Sequence, residues 1–279
     1  AVIGYAAARW IGSWIASRKS DPAVRAVRAN HWVLRGERPD DNGLDQIVTA
    51  TYQNAARSLY EFWHFWPDHE TVKKMVQFDA SFTAAFERSH KSGSGLLLVV
   101  PHLSNFDLIG RSAVLNGYPL HVLSYPQPPG HYRWQNRLRE LPGLTVTPFS
   151  TAGLRQASIT LQNGGTVLTG IDRPLSGPQG KYLPHFFGRQ ASLPVFYIRL
   201  ALKQNLPIVV VGGERKPDGA YFAWASDPIS MQPHSDLVRE IVQNAESVLE
   251  VLAQTILRAP DQWAMFYPVW PEVVDAAPR

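Results

Sequence analysis

Cysteine is missing from the 279 residues, which excludes disulfides, thiolate metal ligands and a cysteine nucleophile. Charge is scarce as well. Charged residues make up 18% of the chain, below the usual quarter, whereas hydrophobic residues reach 45%, so there is ample material for a core and little sign of disorder. No G-x-S-x-G is present, which leaves a nucleophile elbow unsupported. Gly177-Pro-Gln-Gly180-Lys181 lacks the spacing and the preceding strand of a phosphate loop, Gly93-Ser-Gly95 is not completed to a dinucleotide fingerprint, and His69-Glu70 is not completed to a zinc motif. A net charge of +4 without interleaved basic and aromatic residues argues against nucleic acid as a partner.

Tryptophan, by contrast, is plentiful, with nine in the chain. An indole suits a large core, and it suits the boundary between water and lipid equally well. The first 20 residues, AVIGYAAARWIGSWIASRKS, place Ile3, Trp10, Ile11, Trp14 and Ile15 at helical spacing. The run is broken by Arg9, too short to span a hydrocarbon core of roughly 30 Å, and has no signal-peptide cleavage site. Residues 1–40 carry seven basic and three acidic side chains, an excess equal to that of the whole chain. Two readings stay open: residues 1–17 form an amphipathic helix lying in a membrane interface, or a surface helix packing its stripe on the domain.

A second helical stripe runs from Leu44 to Trp66 and stops at Pro67. Lys91-Ser-Gly-Ser-Gly95 reads as a flexible connector. Beyond it come short apolar runs closed by turn residues: Leu96–Val100, Leu120–Leu123, Leu144–Val146, Thr166–Ile171 and Ile208–Val211. Helical segments alternate with them near Asn105–Leu115, Tyr132–Leu141, Ala152–Gln162 and Pro194–Gln204. Tyr221–Trp224 reads as an edge strand and Ser235–Arg258 as a last helix. The pattern predicts a single α/β domain over 1–279, with a mostly parallel central sheet flanked by helices. Its parts are N-terminal helices over 1–67, an α/β core over 91–225 and a C-terminal helix over 234–259.

His102 stands two residues past the first of these strands, where open α/β sheets place their ligand crevice. Asp107 follows at five residues. A histidine oriented by a carboxylate is a general base, because the carboxylate fixes the tautomer and stabilises the imidazolium. Ser104-Asn-Phe-Asp107 also has the form of a helix start, with Ser104 as cap and Asp107 as third-position acid. Asp172 and Arg173 close another apolar strand, and Lys181, His185 and Arg189 follow in a Gly/Pro-rich loop. That cluster reads either as a solvated surface loop or as a cationic rim for phosphate or carrier groups beside an acyl channel.

His102-Leu-Ser-Asn-Phe-Asp107 resembles the H-x4-D/E motif of glycerolipid and lysophospholipid acyltransferases. More narrowly, the chain is similar to the branch holding the late acyltransferases of lipid A biosynthesis and the phosphatidylinositol mannoside acyltransferases. The stretches VRAVRANHWVLRG, YQNAARSLYEFWHFW, Asp172-Arg173 with FFGRQASLPVFYIRLALKQNLPIVVV, and ILRAPDQWAMFYPVW carry the likeness in order along most of the chain. The resemblance implies a peripheral or monotopic enzyme on the cytoplasmic face of the inner membrane. It would move a fatty acyl group from acyl carrier protein or acyl-CoA to a glycolipid hydroxyl, with no cofactor or metal. His102 would be the base and Asp107 its partner; Asp172 and Arg173 match conserved-block positions that bind substrate or shape the site. Asn136 matches an asparagine of the next block, without its arginine–proline context. Ser104 and Phe106 replace the usual Gly and Trp, and Pro126 stands where the lipid A branch has Arg, so the reaction class carries over better than the acceptor. Two other classes remain: a lipid hydrolase or thioesterase that turns the same base on water, and a non-catalytic lipid-binding module.

Overall fold

The structure, a computed structural model, describes residues 2–38, 43–124, 141–175 and 180–278. Five helices come before the first long strand: α1 (Val2–Ala16), α2 (Pro22–Leu34), α3 (Leu44–Phe65), α4 (His69–Met75) and α5 (Ala80–Ser92), with the short strand β1 (Val76–Phe78) between the last two. Strand and helix then alternate through β2 (Leu96–Val100), α6 (Phe106–Leu115), β3 (Leu120–Ser124), β4 (Leu144–Pro148), α7 (Thr151–Gln162) and β5 (Thr166–Gly170). A two-stranded ribbon, β6 (His185–Phe186) and β7 (Arg189–Gln190), leads to α8 (Phe196–Gln204), β8 (Ile208–Arg215), β9 (Tyr221–Ala225) and α9 (Leu237–Leu257). The helix expected at Tyr132–Leu141, and Asn136 with it, lies outside the described residues apart from Leu141.

The main sheet runs β1-β9-β8-β2-β5-β3-β4. From β8 to β4 every pairing is parallel, as the alternation of strand and helix requires. The sheet is mixed because β9 pairs antiparallel with β8. Tyr221–Ala225 is not the edge strand that its sequence suggests, since β1 pairs along its outer side. The connector is shorter than expected: Lys91 and Ser92 are the last residues of α5, and Gly93 ends it in the left-handed conformation at φ 66°.

Side chains alternate across the sheet with period two. Leu97, Val99, Val167, Ile208 and Val210 face a large core made by α2, α3, α7, α8 and α9. Leu96, Leu98, Val209 and Val211 face a smaller one against α5 and α6. The second face is the one that holds the cavity described below. At its rim α6 is capped by Asn105, whose Oδ1 accepts from the Leu108 N–H at 3.3 Å. Ser104 is not the cap: it takes a left-handed φ of 59° and buries its hydroxyl.

Candidate active site

Strand register builds this site. Val100 of β2 pairs with Gly170 of β5, so the residues two places beyond each, His102 and Asp172, emerge side by side at the carboxyl end of the sheet. The His102 Nδ1 lies 2.6 Å from Asp172 Oδ1, and the His102 backbone N–H donates to Asp172 Oδ2 at 2.8 Å. Trp263 Nε1–H donates to the same Oδ2 at 2.8 Å. Trp263 is delivered by the chain after α9, which pairs back onto the His102 loop: Ala264 N–H donates to the His102 carbonyl and Ser104 N–H to the Gln262 carbonyl.

Asp172 is fully buried. Burial alone pushes its carboxyl up, but the facing His102 charge and the hydrogen bonds from His102 and Trp263 outweigh that and hold it below the usual carboxylate range. An ionised Asp172 accepts the hydrogen bond of Nδ1–H, and whenever the imidazole is neutral this tautomer leaves the Nε2 lone pair for chemistry. Among the described residues Nε2 has no hydrogen-bond partner. Phe106 packs edge-on against the ring at 5.3 Å. The sequence reading gave the orienting role to Asp107; the carboxylate bonded to Nδ1 is Asp172. Asp107 sits on the first turn of α6 and lines the same cavity as His102.

That cavity holds about 740 Å³. Its walls are mostly apolar, from Leu98, Val100, Val122, Val146 and Leu168 on the sheet to Ile109 and Ala113 on α6. Such a shape suits a hydrocarbon chain entered beside a base. Arg173 is in its wall, with the guanidinium 4.1 Å above the Tyr267 ring. Arg199 and Tyr182 line it too and hydrogen-bond to each other, while Lys181 holds its ammonium 5.0 Å from the Tyr182 ring. The rest of the expected cationic rim is engaged elsewhere. Arg189 grips Glu37 with two guanidinium nitrogens and reaches Glu272 at 3.8 Å, and His185 pairs with Glu246 at 2.7 Å.

Sequence reasoning missed Trp263, Arg111 and Arg199. Trp263 and Arg199 each lie in a stretch that carries the family likeness, which was the available signal; nothing local marks Arg111. Among the described residues no three His, Asp or Glu side chains gather as a metal cage.

At the far side of α3, α1 packs with its small residues. Ala8, Gly12 and Ala16 are buried, and a Cβ on Gly12 would come within 2.6 Å of the Gln53 Cα. Most of the large apolar side chains therefore point out, with Ile3 85% exposed, Trp10 67% and Trp14 46%, while Ile15 packs against the core. Trp10 and Trp14 stack, and Arg18 lies over Trp14. No described helix is long and apolar enough to cross a membrane.

No curated protein sequence is a significant match to the chain. A family profile does match, over residues 4–272, and so covers the N-terminal helices, the sheet and the segment that delivers Trp263. By that match the chain belongs to the bacterial lipid A biosynthesis acyltransferase family.

Proposed function

We propose that the protein transfers a fatty acyl group from acyl carrier protein or acyl-CoA to a hydroxyl of a glycolipid, with His102 as general base. The observation that carries this reading is the His102–Asp172 pair, whose outer nitrogen, Nε2, is unengaged by described residues beside an apolar cavity of chain-binding size. Nε2 takes the proton of the acceptor hydroxyl as its oxygen attacks the thioester carbonyl, and Asp172 stabilises the imidazolium that forms. The thiolate of the donor leaves as the tetrahedral intermediate collapses and takes up the proton. Backbone N–H groups at the start of α6, and Arg173, supply the stabilisation of the oxyanion. Asp107, Arg173 and Lys181 shape or bind substrate at the rim. The acyl chain fills the cavity, which aligns carbonyl and hydroxyl.

The outward face of α1 seats the enzyme on the membrane as a peripheral or monotopic protein, at the cytoplasmic face of the inner membrane. Trp10 and Trp14 favour the interface, and Arg9, Arg18 and Lys19 favour anionic lipid.

The chain contributes no thiol of its own, so thiol release reports turnover directly. Wild type and His102→Ala are given acyl-CoA or acyl carrier protein donor, with and without a bacterial glycolipid extract. Acceptor-dependent release that falls about 10²-fold or more in the variant is the expected result. Equal release without acceptor identifies a hydrolase instead. A His102→Ala enzyme as fast as wild type removes His102 as the base.

A further inference from the structure

Among the described residues, one cation in the cavity wall has no acceptor facing it. Arg111 lies on α6, one turn beyond Asp107, and is only 4% exposed. Its guanidinium stacks 4.1 Å above the ring of Trp66, and its Nε is buried without a hydrogen-bond partner. Among the described residues no carboxylate lies within ion-pair distance of it and no carbonyl accepts from it. The other deeply buried arginine, Arg28, is answered by Asp45 and the Pro278 carbonyl. Both Arg111 and Trp66 line the cavity that contains His102.

A guanidinium stays protonated at neutral pH, and removing it from water with no acceptor is costly. Burial accordingly lowers the Arg111 pKa from its ordinary value. The stacked Trp66 fixes the plane of the guanidinium, so the terminal N–H donors of the fork are presented in a set direction. A fork so held fits a carboxylate or phosphate through paired hydrogen bonds. The remaining wall is mostly apolar, so the molecule that brings this anion also brings hydrocarbon.

We propose that Arg111, braced by Trp66, is the seat for an anionic oxygen group of a lipid ligand. Two sources share that chemistry: the phosphate of an acceptor head group, and the carboxylate of a free fatty acid in the chain cavity. The inference rests on reading the cavity as a lipid site.

The test is calorimetric titration of the full chain with dodecyl phosphate, dodecanoate and dodecanol, each below its micelle concentration. Wild type should bind at least one of the anions about tenfold or more tightly than the alcohol, the size expected of charge-assisted hydrogen bonds. Arg111→Met should bind all three within about twofold, with dodecanol unchanged, and Arg111→Lys should keep part of the preference. Arg111→Met should melt at or above wild type, because an unanswered buried charge has been removed. Stronger binding of the phosphate identifies a head group as the source, and stronger binding of the carboxylate a fatty acid. A wild type that does not prefer the anions overturns the proposal while leaving the chain cavity intact. So does an Arg111→Met protein that keeps the preference, which would move it to Lys181 and Arg199 at the rim. Failure of all three ligands to bind overturns the lipid reading of the cavity itself. Should Arg111→Met not fold, the wild-type preference and the Arg111→Lys variant still decide.

Discussion

Gly170 lies flat against the imidazole of His102: a Cβ at Gly170 would stand 3.0 Å from Cε1 and 3.6 Å from each ring nitrogen. The ring therefore occupies space that any other residue would claim. Gly170→Ala should turn the imidazole away from Asp172 and slow acceptor-dependent thiol release about tenfold or more, the order of loss expected when a reacting group is misplaced by a fraction of an ångström. Its melting temperature should fall as well, because a turned ring no longer donates to the fully buried Asp172. An Ala variant with the wild-type rate would show that the ring's position at Gly170 has no bearing on turnover.

Asp172→Asn should slow turnover by about 10²–10⁴-fold, because the amide cannot stabilise the imidazolium. Asp107→Asn should cost less. Equal losses at the two positions would argue that both carboxylates serve the base, and the opposite ranking would return the orienting role to Asp107.

Trp263→Phe keeps the packing and deletes one donor to the buried Asp172. It should destabilise the protein by about 1.5–3 kcal/mol, the worth of one hydrogen bond to a charged group, since Oδ2 keeps only the His102 backbone N–H. Denaturant titration is the check, and a stability unchanged within error would mean that the donor at Oδ2 is replaceable.

Acid should weaken the fold through a buried histidine of α2. His31 is buried against Thr51, its Nε2 2.8 Å from the hydroxyl, and desolvation pushes its pKa down to about 3. Between that value and the unfolded histidine's of about 6.5, the unfolded chain binds a proton that the native one does not, so stability falls as pH falls. The slope should reach about 1.4 kcal/mol per pH unit below 6.5. His31→Gln should flatten it. The Asp172 contribution lies in a lower window: it is intact above the unfolded aspartate's pKa of about 3.9 and is lost as pH falls through its depressed native value. Urea melts from pH 7.5 to 4.5 lie above the Asp172 window and isolate the His31 contribution.

Trp10→Gln with Trp14→Gln should abolish sedimentation with vesicles containing anionic phosphatidylglycerol while leaving the melting temperature within about 1–2 °C, since both rings are exposed. Undiminished sedimentation would place the membrane contact on another surface.

The five parallel strands from β8 to β4 were legible because each is a short apolar run closed by turn residues. Strand β1 was not: Val76–Phe78 is three residues long, and its partner Tyr221 is remote in sequence. The stripe of α1 was legible, its direction was not. The deciding residues are small ones, Ala8, Gly12 and Ala16, which carry little hydrophobic signal but let two helices approach closely. At the site, His102 and Asp172 were both visible as strand-end residues. Their pairing depends on strand order, which sets β5 beside β2 across 70 residues, and no local spacing encodes that. Asp107 is near His102 in sequence, whereas Asp172, 70 residues on, is the carboxylate bonded to its Nδ1.

Trp263 follows Asp172 by 91 residues. During synthesis at about 5–20 residues per second, the carboxylate waits roughly 5–18 s for its indole donor to be made. Until then Asp172 Oδ2 lacks one of the two donors it has in the native structure, so the pair cannot be completed before Trp263 is made. The ribosome thus imposes an order on the making of the site: the histidine first, its carboxylate 70 residues later, and the indole donor 91 residues after that.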